Sequence, residues 1–202
     1  YPRIYRKFDH IITISAPCQR EVERMHLGVP TTLIPNGIDR EFFRRDAQKR
    51  QQFRERYGIG EDERVVLTVA QQTPRKGIYD FLQLSKQFPD LRWVWVGGFP
   101  YGALSKDYLH IEQSKLQCGK NVMFTGIVPD IVGAYSGADI FFMPSYAETF
   151  GLVILEAMSC DLPLIVRGIP EFREIYGDMA LYFFDLDQAA ALLKDEAALR
   201  RC

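Results

Sequence analysis

Two carboxylates stand eight positions apart in the stretch Glu148-Thr-Phe-Gly-Leu-Val-Ile-Leu-Glu156. Glu156 is the only charge between Gly151 and Cys160, in a segment apolar or small on nearly every face. A helix of that composition is expected to be largely buried, and an unpaired carboxylate inside one is costly. Such a group has a partner or a task. The spacing, with the apolar run that precedes it, suggests a carboxylate pair built to hold a polyhydroxyl ligand.

The predicted helix opens at Gly151. Its first amides, near Phe150, Gly151 and Leu152, have no intrahelical acceptor and carry the positive end of the helix dipole. That is a phosphate site, and Gly151 lets a ligand approach the backbone closely. Glu156 falls on the second turn, on the order of 8 Å along the axis. A carboxylate there can accept two hydrogen bonds from a vicinal diol such as that of ribose. Glu148, ahead of the helix, could bond a sugar hydroxyl or steady developing positive charge. The plainer alternative makes Glu148 a loop acid and Glu156 a helix-surface residue.

Two more segments offer chemistry. Ala70-Gln71-Gln72-Thr73-Pro74-Arg75-Lys76-Gly77 follows an apolar strand and opens a helix. Arg75 and Lys76 there would neutralise a diphosphate leaving group. An Arg-Lys pair at a strand end is by itself weak evidence, and its weight comes from converging on the same edge as the glutamates. Phe124-Thr125-Gly126-Ile127-Val128-Pro129 ends another strand. Ile127 and Val128 could form a slot for a planar base, or could simply be strand-end packing.

The elements that must position these groups read as an alternation. Apolar, β-branched or aromatic runs recur at 65–70, 93–96, 122–124, 140–143, 164–166 and 181–183. Each is apolar on both faces, as strands covered on both sides are. Helical stretches separate them, at 77–88, 105–117, 129–136, 151–160 and 171–176. This spacing predicts an α/β fold with a doubly wound parallel sheet. Ligands in such a sheet sit at the carboxyl ends of the strands, where Gly97-Gly98, Gly126 and Ser145 to Gly151 all fall.

Upstream, Asp9 to Ser15 reads as a strand, with Ser15 capping a helix over 16–27. A short strand follows at 31–35, then a tight turn at Asn36-Gly37. Residues 40–57, rich in Arg, Gln and Glu, read as an exposed connector helix ended by Gly58-Ile59-Gly60. The last helical pattern runs from Ala189 to Arg201. Asp185-Leu186-Asp187 before it reads as an N-cap rather than a metal motif. Tyr1 at the start and a helical pattern running to the end give the expectation of a piece of something larger.

Composition bounds the rest. The chain has 202 residues, 25 Lys and Arg against 26 Asp and Glu, and a formal net charge of −1. Nothing in that balance points to nucleic acid as a partner. No apolar run approaches the roughly 20 residues that span a bilayer. Cys18, Cys118, Cys160 and Cys202 are scattered without metal spacing, which reads as a reducing, cytoplasmic compartment. Cys160 reads as a buried thiol, and His10, His26 and His110 as surface or satisfied polar residues. Neither a catalytic metal nor a cofactor is expected.

The order of segments resembles the carboxyl-terminal half of the retaining, GT-B-fold, nucleotide-sugar glycosyltransferases of glycosyltransferase family 4. The resemblance rests on the Glu-x-Phe-Gly-(x)4-Glu pattern, with Asp139-Ile-Phe-Phe-Met-Pro-Ser145 before it and Leu162-Pro-Leu-Ile-Val166 after it. Ile34-Pro-Asn-Gly-Ile-Asp39 resembles the segment that joins the two domains. The resemblance implies that residues 1–45 end an amino-terminal domain and that 46–202 form a truncated nucleotide-sugar-binding domain. It implies that Glu156 holds the ribose and that Glu148 faces the donor sugar. Lys76 would bind the diphosphate, with backbone contacts from Phe150, Gly151 and Leu152. The family usually has an arginine where this chain has Gln71, so Arg75 is expected to take over its work. Gln71 with Arg75-Lys76-Gly77 looks more like the branch that glycosylates diacylglycerol lipids from UDP-sugars. The partners implied are a UDP-sugar and a lipid or saccharide acceptor. Peripheral membrane contact would come through the amino-terminal domain, at the inner face of the membrane. A GT-B epimerase or phosphorylase, and a nucleotide-binding module without chemistry, are the alternatives.

Overall fold

The computed structural model describes residues 2–200; Cys202 and the final arginine of the last predicted helix lie outside them. The chain opens with α1 (Pro2–Tyr5), β1 (Ile11–Thr13), α2 (Ala16–Arg24) and β2 (Thr31–Leu33). β1 and β2 pair in parallel as a sheet of their own. Ser15 caps α2, its Oγ accepting from the Cys18 amide at 3.3 Å. Asn36-Gly37 forms no turn. The backbone from 34 to 39 has no regular structure and Gly37 lacks a positive φ.

α3 (Ala47–Arg56) precedes the main sheet. Six parallel strands build that sheet: β3 (Val65–Val69), β4 (Arg92–Val96), β5 (Val122–Gly126), β6 (Ile140–Met143), β7 (Leu164–Arg167) and β8 (Leu181–Phe183). Their spatial order is β5-β4-β3-β6-β7-β8. The order reverses between β3 and β6, which are the two strands that precede the Arg75-Lys76 and Glu148 segments. A crevice opens at such a switch point because successive connections leave to opposite faces of the sheet.

Helices cover both faces: α4 (Ile78–Gln87), α5 (Tyr108–Leu116), α6 (Ile131–Gly137), α7 (Leu152–Ser159), α8 (Pro170–Tyr176), α9 (Leu186–Lys194) and α10 (Glu196–Leu199). Alternation along the strands feeds two cores. Val65, Leu67, Phe141 and Met143 pack with Phe53, Tyr135, Ile154 and Phe172 on one face. Val66, Ile140, Phe142 and Ile165 pack with Phe81, Ile111, Leu193 and Leu199 on the other. Both faces of β6, and of β3 as far as Thr68, are buried, so these strands read as nearly continuous apolar runs rather than as alternating ones.

Three helix expectations need correction. The segment read as an exposed connector helix over 40–57 becomes helical only at Ala47, where Asp46 caps it. It is also no mere connector, because it packs along α6. Arg54 is buried and donates to the Gly137 and Gly60 carbonyls, at 2.7 Å each. Arg50 bonds Asp139 at 3.0 Å. Long guanidinium side chains bury their stems and spend their heads on helix-end carbonyls, so a polar helix can still be a packed one. The glutamate-bearing helix α7 is less buried than its composition suggests. Ile154 and Ala157 are its fully buried residues, while Leu152 is exposed. The final helical run breaks at Asp195, which caps α10. Asp185 caps α9 by accepting from the Gln188 amide at 2.8 Å, as the sequence indicates.

Candidate functional site

A cleft of about 740 Å3 lies at the carboxyl ends of the strands, over the switch point. The β3–α4 connection contributes Gln71, Arg75 and Lys76 to its wall, and the loop after β4 contributes Gly97. Ile127, Val128 and Ile131 supply an apolar side beyond β5. Across from them stand Glu148 and the opening of α7, with Phe150, Gly151, Leu152 and Val153. Ile14 and Asn36 reach in from the amino-terminal segment. The residues singled out in sequence therefore share one space, with one exception, Glu156.

The charged centre of the cleft is built by close approach of two loops. Gly77 has φ +77°, and a Cβ there would sit 2.3 Å from the Pro144 carbonyl oxygen. That contact needs glycine. It brings the β3–α4 connection against the loop after β6, where the Tyr146 amide donates to the Arg75 carbonyl at 2.9 Å. Lys76 Nζ then donates to Glu148 Oε1. Arg75 lies 3.8 Å from Glu148 Oε2 and donates to the Ala147 carbonyl at 2.6 Å. Ser145, fully buried, donates to Glu148 Oε1 at 3.2 Å. The side chains of Glu148 and Lys76 are only 10% and 14% exposed. Two cations against one carboxylate leave a positive excess facing the cleft. An ammonium has three donors, so Lys76 keeps Glu148 while offering others to a ligand.

The tip of α7 adds to that field. Gly151 is its N-cap, with φ 84° and no side chain capping the amides. Tyr176, fully buried on α8, donates to the carbonyls of Phe150 at 2.8 Å and Gly151 at 3.0 Å. In a trans peptide the N–H points opposite to the C=O. The amides of Gly151 and Leu152 are thus turned away from Tyr176. Burial raises the Tyr176 phenol far above its ordinary pKa, so it stays a donor.

Glu156 sits elsewhere. Its half-buried carboxylate lies on the seam between α7 and α6, where Oε2 accepts from the Tyr135 hydroxyl at 2.6 Å. Burial raises the pKa of Glu156, and the bond from Tyr135 pulls it back down. Leu152 and Val153, one turn earlier, line the cleft while Glu156 does not.

Several supporting residues left no mark in the sequence reading. Tyr135 and Tyr176 look like core aromatics until their hydroxyls are placed. Arg167, at the end of β7, is nearly buried, pairs with Asp80, and donates to the Pro144 carbonyl at 3.0 Å. Its guanidinium lies 4.0 Å from the Tyr146 ring centre. It therefore holds the loop that carries Glu148, and only its place inside a strand marks it as unusual. Ser145 closes the Asp139–Ser145 segment, where residue type alone gives it no role. Among the described residues no group of His, Cys, Asp and Glu could hold a metal ion.

Comparison with known proteins settles the family. A profile described as "Glycosyl transferases group 1" matches residues 49–195. The chain belongs to that family. Among curated relatives, the alpha-galactosylglucosyldiacylglycerol synthase of Streptococcus pneumoniae is 30% identical over 177 residues, covering 85% of this chain and 47% of the relative. The processive diacylglycerol alpha-glucosyltransferase of Acholeplasma laidlawii is 32% identical over 175 residues, covering 85% and 52%. This chain spans about half the length of these relatives. Sucrose-phosphate synthase from Thermosynechococcus elongatus superposes with a TM-score of 0.81 at 27% identity, over 98% of this chain and 52% of that one. Anabaena HepE, solved with UDP and glucose, superposes with a TM-score of 0.83 at 22% identity, over 98% and 57%. The sheet thus matches the Rossmann-like half of the GT-B glycosyltransferase fold. Among the described residues no helix is long and apolar enough to cross a membrane.

Proposed function

We propose that this chain is the donor-binding half of a retaining glycosyltransferase that takes a UDP-sugar. The observation that carries the reading is the rim cluster of Arg75, Lys76 and Glu148, facing the uncapped tip of α7 across one cleft. The diphosphate lies between the cations and the Gly151 and Leu152 amides. The base lies against Ile127 and Val128, beside Gly97. Glu156 reaches the ribose diol, either by turning from Tyr135 or by offering its second oxygen. Gln71 lies at the cleft edge near the diphosphate.

In the reaction, the bond from the anomeric carbon to the diphosphate oxygen breaks, and its electron pair leaves with the nucleoside diphosphate. The acceptor hydroxyl oxygen bonds the same carbon on the same face. Its proton passes to the departing diphosphate oxygen. Negative charge grows on that leaving group, and donors already aimed at it lower the barrier without reorganising. Glu148, held by Lys76 and Ser145, faces the positive charge that develops on the sugar. The names of the curated relatives, both of which contain diacylglycerol, support a glycerolipid acceptor.

Calorimetry with UDP, GDP and ADP tests the donor assignment on this chain. UDP is expected to bind most tightly. Binding of all three weaker than about 1 mM would remove the donor site.

A further inference from the structure

Arg167 and Asp80 form a nearly buried ion pair, their side chains 11% and 13% exposed, and neither lines the cleft. Stability alone gives no reason for such a pair, because well-packed apolar residues of similar volume often serve as well. What the pair supplies is direction. Arg167 Nε donates to the Pro144 carbonyl at 3.0 Å, and its Nη2 donates to Asp80. A guanidinium is a rigid planar fork, so these two bonds hold the carbonyl and the carboxylate at a set spacing. Pro144 begins the loop that leads to Glu148. Asp80 lies in the first turn of α4, just beyond Lys76 and Gly77. One side chain from β7 thus spans the two segments whose charges meet at the rim.

The Pro144 carbonyl is the common point of the brace. It is the oxygen that Gly77 packs against, where a Cβ would approach to 2.3 Å. Arg167 grips the same oxygen, so the close approach of the two loops is bonded as well as packed. Tyr146 adds a third tie. Its ring centre lies 4.0 Å from the Arg167 guanidinium, and the Phe183 ring centre lies 4.9 Å from it. Burial, and then Asp80, raise the pKa of the Tyr146 phenol, which stays a proton donor toward that carboxylate.

We infer that the Asp80–Arg167 pair is a positioning device for the transfer step, holding Glu148 and Lys76 in register from behind the rim without touching substrate. The inference rests on the donor reading above for the step it serves. It separates transfer from nucleotide binding. Glu148 faces the donor sugar, which UDP lacks. Lys76 is a point charge on a flexible stem and still reaches a diphosphate from a loosened loop. Loss of the brace should therefore cost transfer and spare UDP.

The test uses Arg167→Lys and a double variant, Asp80→Leu with Arg167→Met. The double variant removes both charges, so no lone ion is left buried. Arg167→Lys keeps the charge and loses the fork. In the complete protein, kcat is expected to fall about ten- to a hundredfold in the double variant, and less in Arg167→Lys, the scale of a misplaced reacting group. UDP affinity by calorimetry is expected to stay within about threefold, as for a loss confined to the transition state. In this chain, the ammonium NMR signal of Lys76, held by Glu148, is expected in the parent and lost in the double variant. Parental kcat in the double variant would overturn the inference. So would UDP affinity that falls in step with kcat, or an unchanged Lys76 signal. Should the double variant not fold, parental kcat in Arg167→Lys overturns it equally. A parent that binds no UDP would count against the donor reading alone, because the Lys76 signal reports on the brace without nucleotide.

Discussion

Glu148 and Glu156 stand eight residues apart, yet the fold holds them by unlike means. Glu148 is fixed by an ammonium, a guanidinium and a buried hydroxyl where two loops meet. Glu156 has one neutral phenol, between two helices. The first sits inside a positively biased cluster. The second is a carboxylate whose burial works against its charge. One signature thus contains a charge that organises the rim and a charge that is conditional on its surroundings.

Substitutions can break this contrast. The largest effect is expected at the rim. Lys76→Ala in the complete protein should lower kcat by about 10²- to 10³-fold, as loss of one preorganised donor does. A loss of less than about tenfold would place the pair outside the reacting centre. Glu156→Gln comes next. It should weaken UDP about tenfold, the scale of one charge-assisted hydrogen bond, and narrow the preference for UDP over 2′-deoxy-UDP. An unchanged preference would detach Glu156 from the ribose.

Tyr135→Phe sharpens the contrast through pH. The bond from Tyr135 lowers a pKa that burial has raised, so its removal leaves Glu156 higher still. UDP binding that needs the carboxylate is lost as pH falls through that pKa. The variant should lose it at higher pH than the parent, which a calorimetric pH series will show. An identical pH profile in both proteins would mean that Tyr135 only packs. The smallest effect is expected from Gln71→Arg. A new exposed cation at the cleft edge should tighten UDP by about two- to fivefold, from about 0.5–1 kcal/mol. No change would show that Arg75 already fills the place.

The sheet was legible because its strands are apolar on both faces and separated by helix-length gaps. Val65 to Val69 and Ile140 to Met143 could belong only to a covered sheet. The location of the cleft followed from that topology, as did the convergence of the 71–77 and 145–152 segments. The failures share a cause. α3 shows little apolar periodicity, since its packing relies on arginines as well as on Phe53. Asn36-Gly37 has turn composition, but composition does not oblige the chain to turn. The apolar α7 leaves Leu152 exposed at the cleft. The partners of Glu156 and of the Phe150 and Gly151 carbonyls are tyrosine hydroxyls from other helices, and a phenol at a core position carries no local signal.

The space between Gly77 and the Pro144 carbonyl is too small for a methyl group. The junction that aligns Lys76 with Glu148 is therefore closed to diversification by side-chain exchange. On the proposed donor reading, variation in donor preference is open at exposed lip positions such as Gln71 and Ile127. A mutant library aimed at new nucleotide sugars would do best to randomise those two sites and leave the glycine alone.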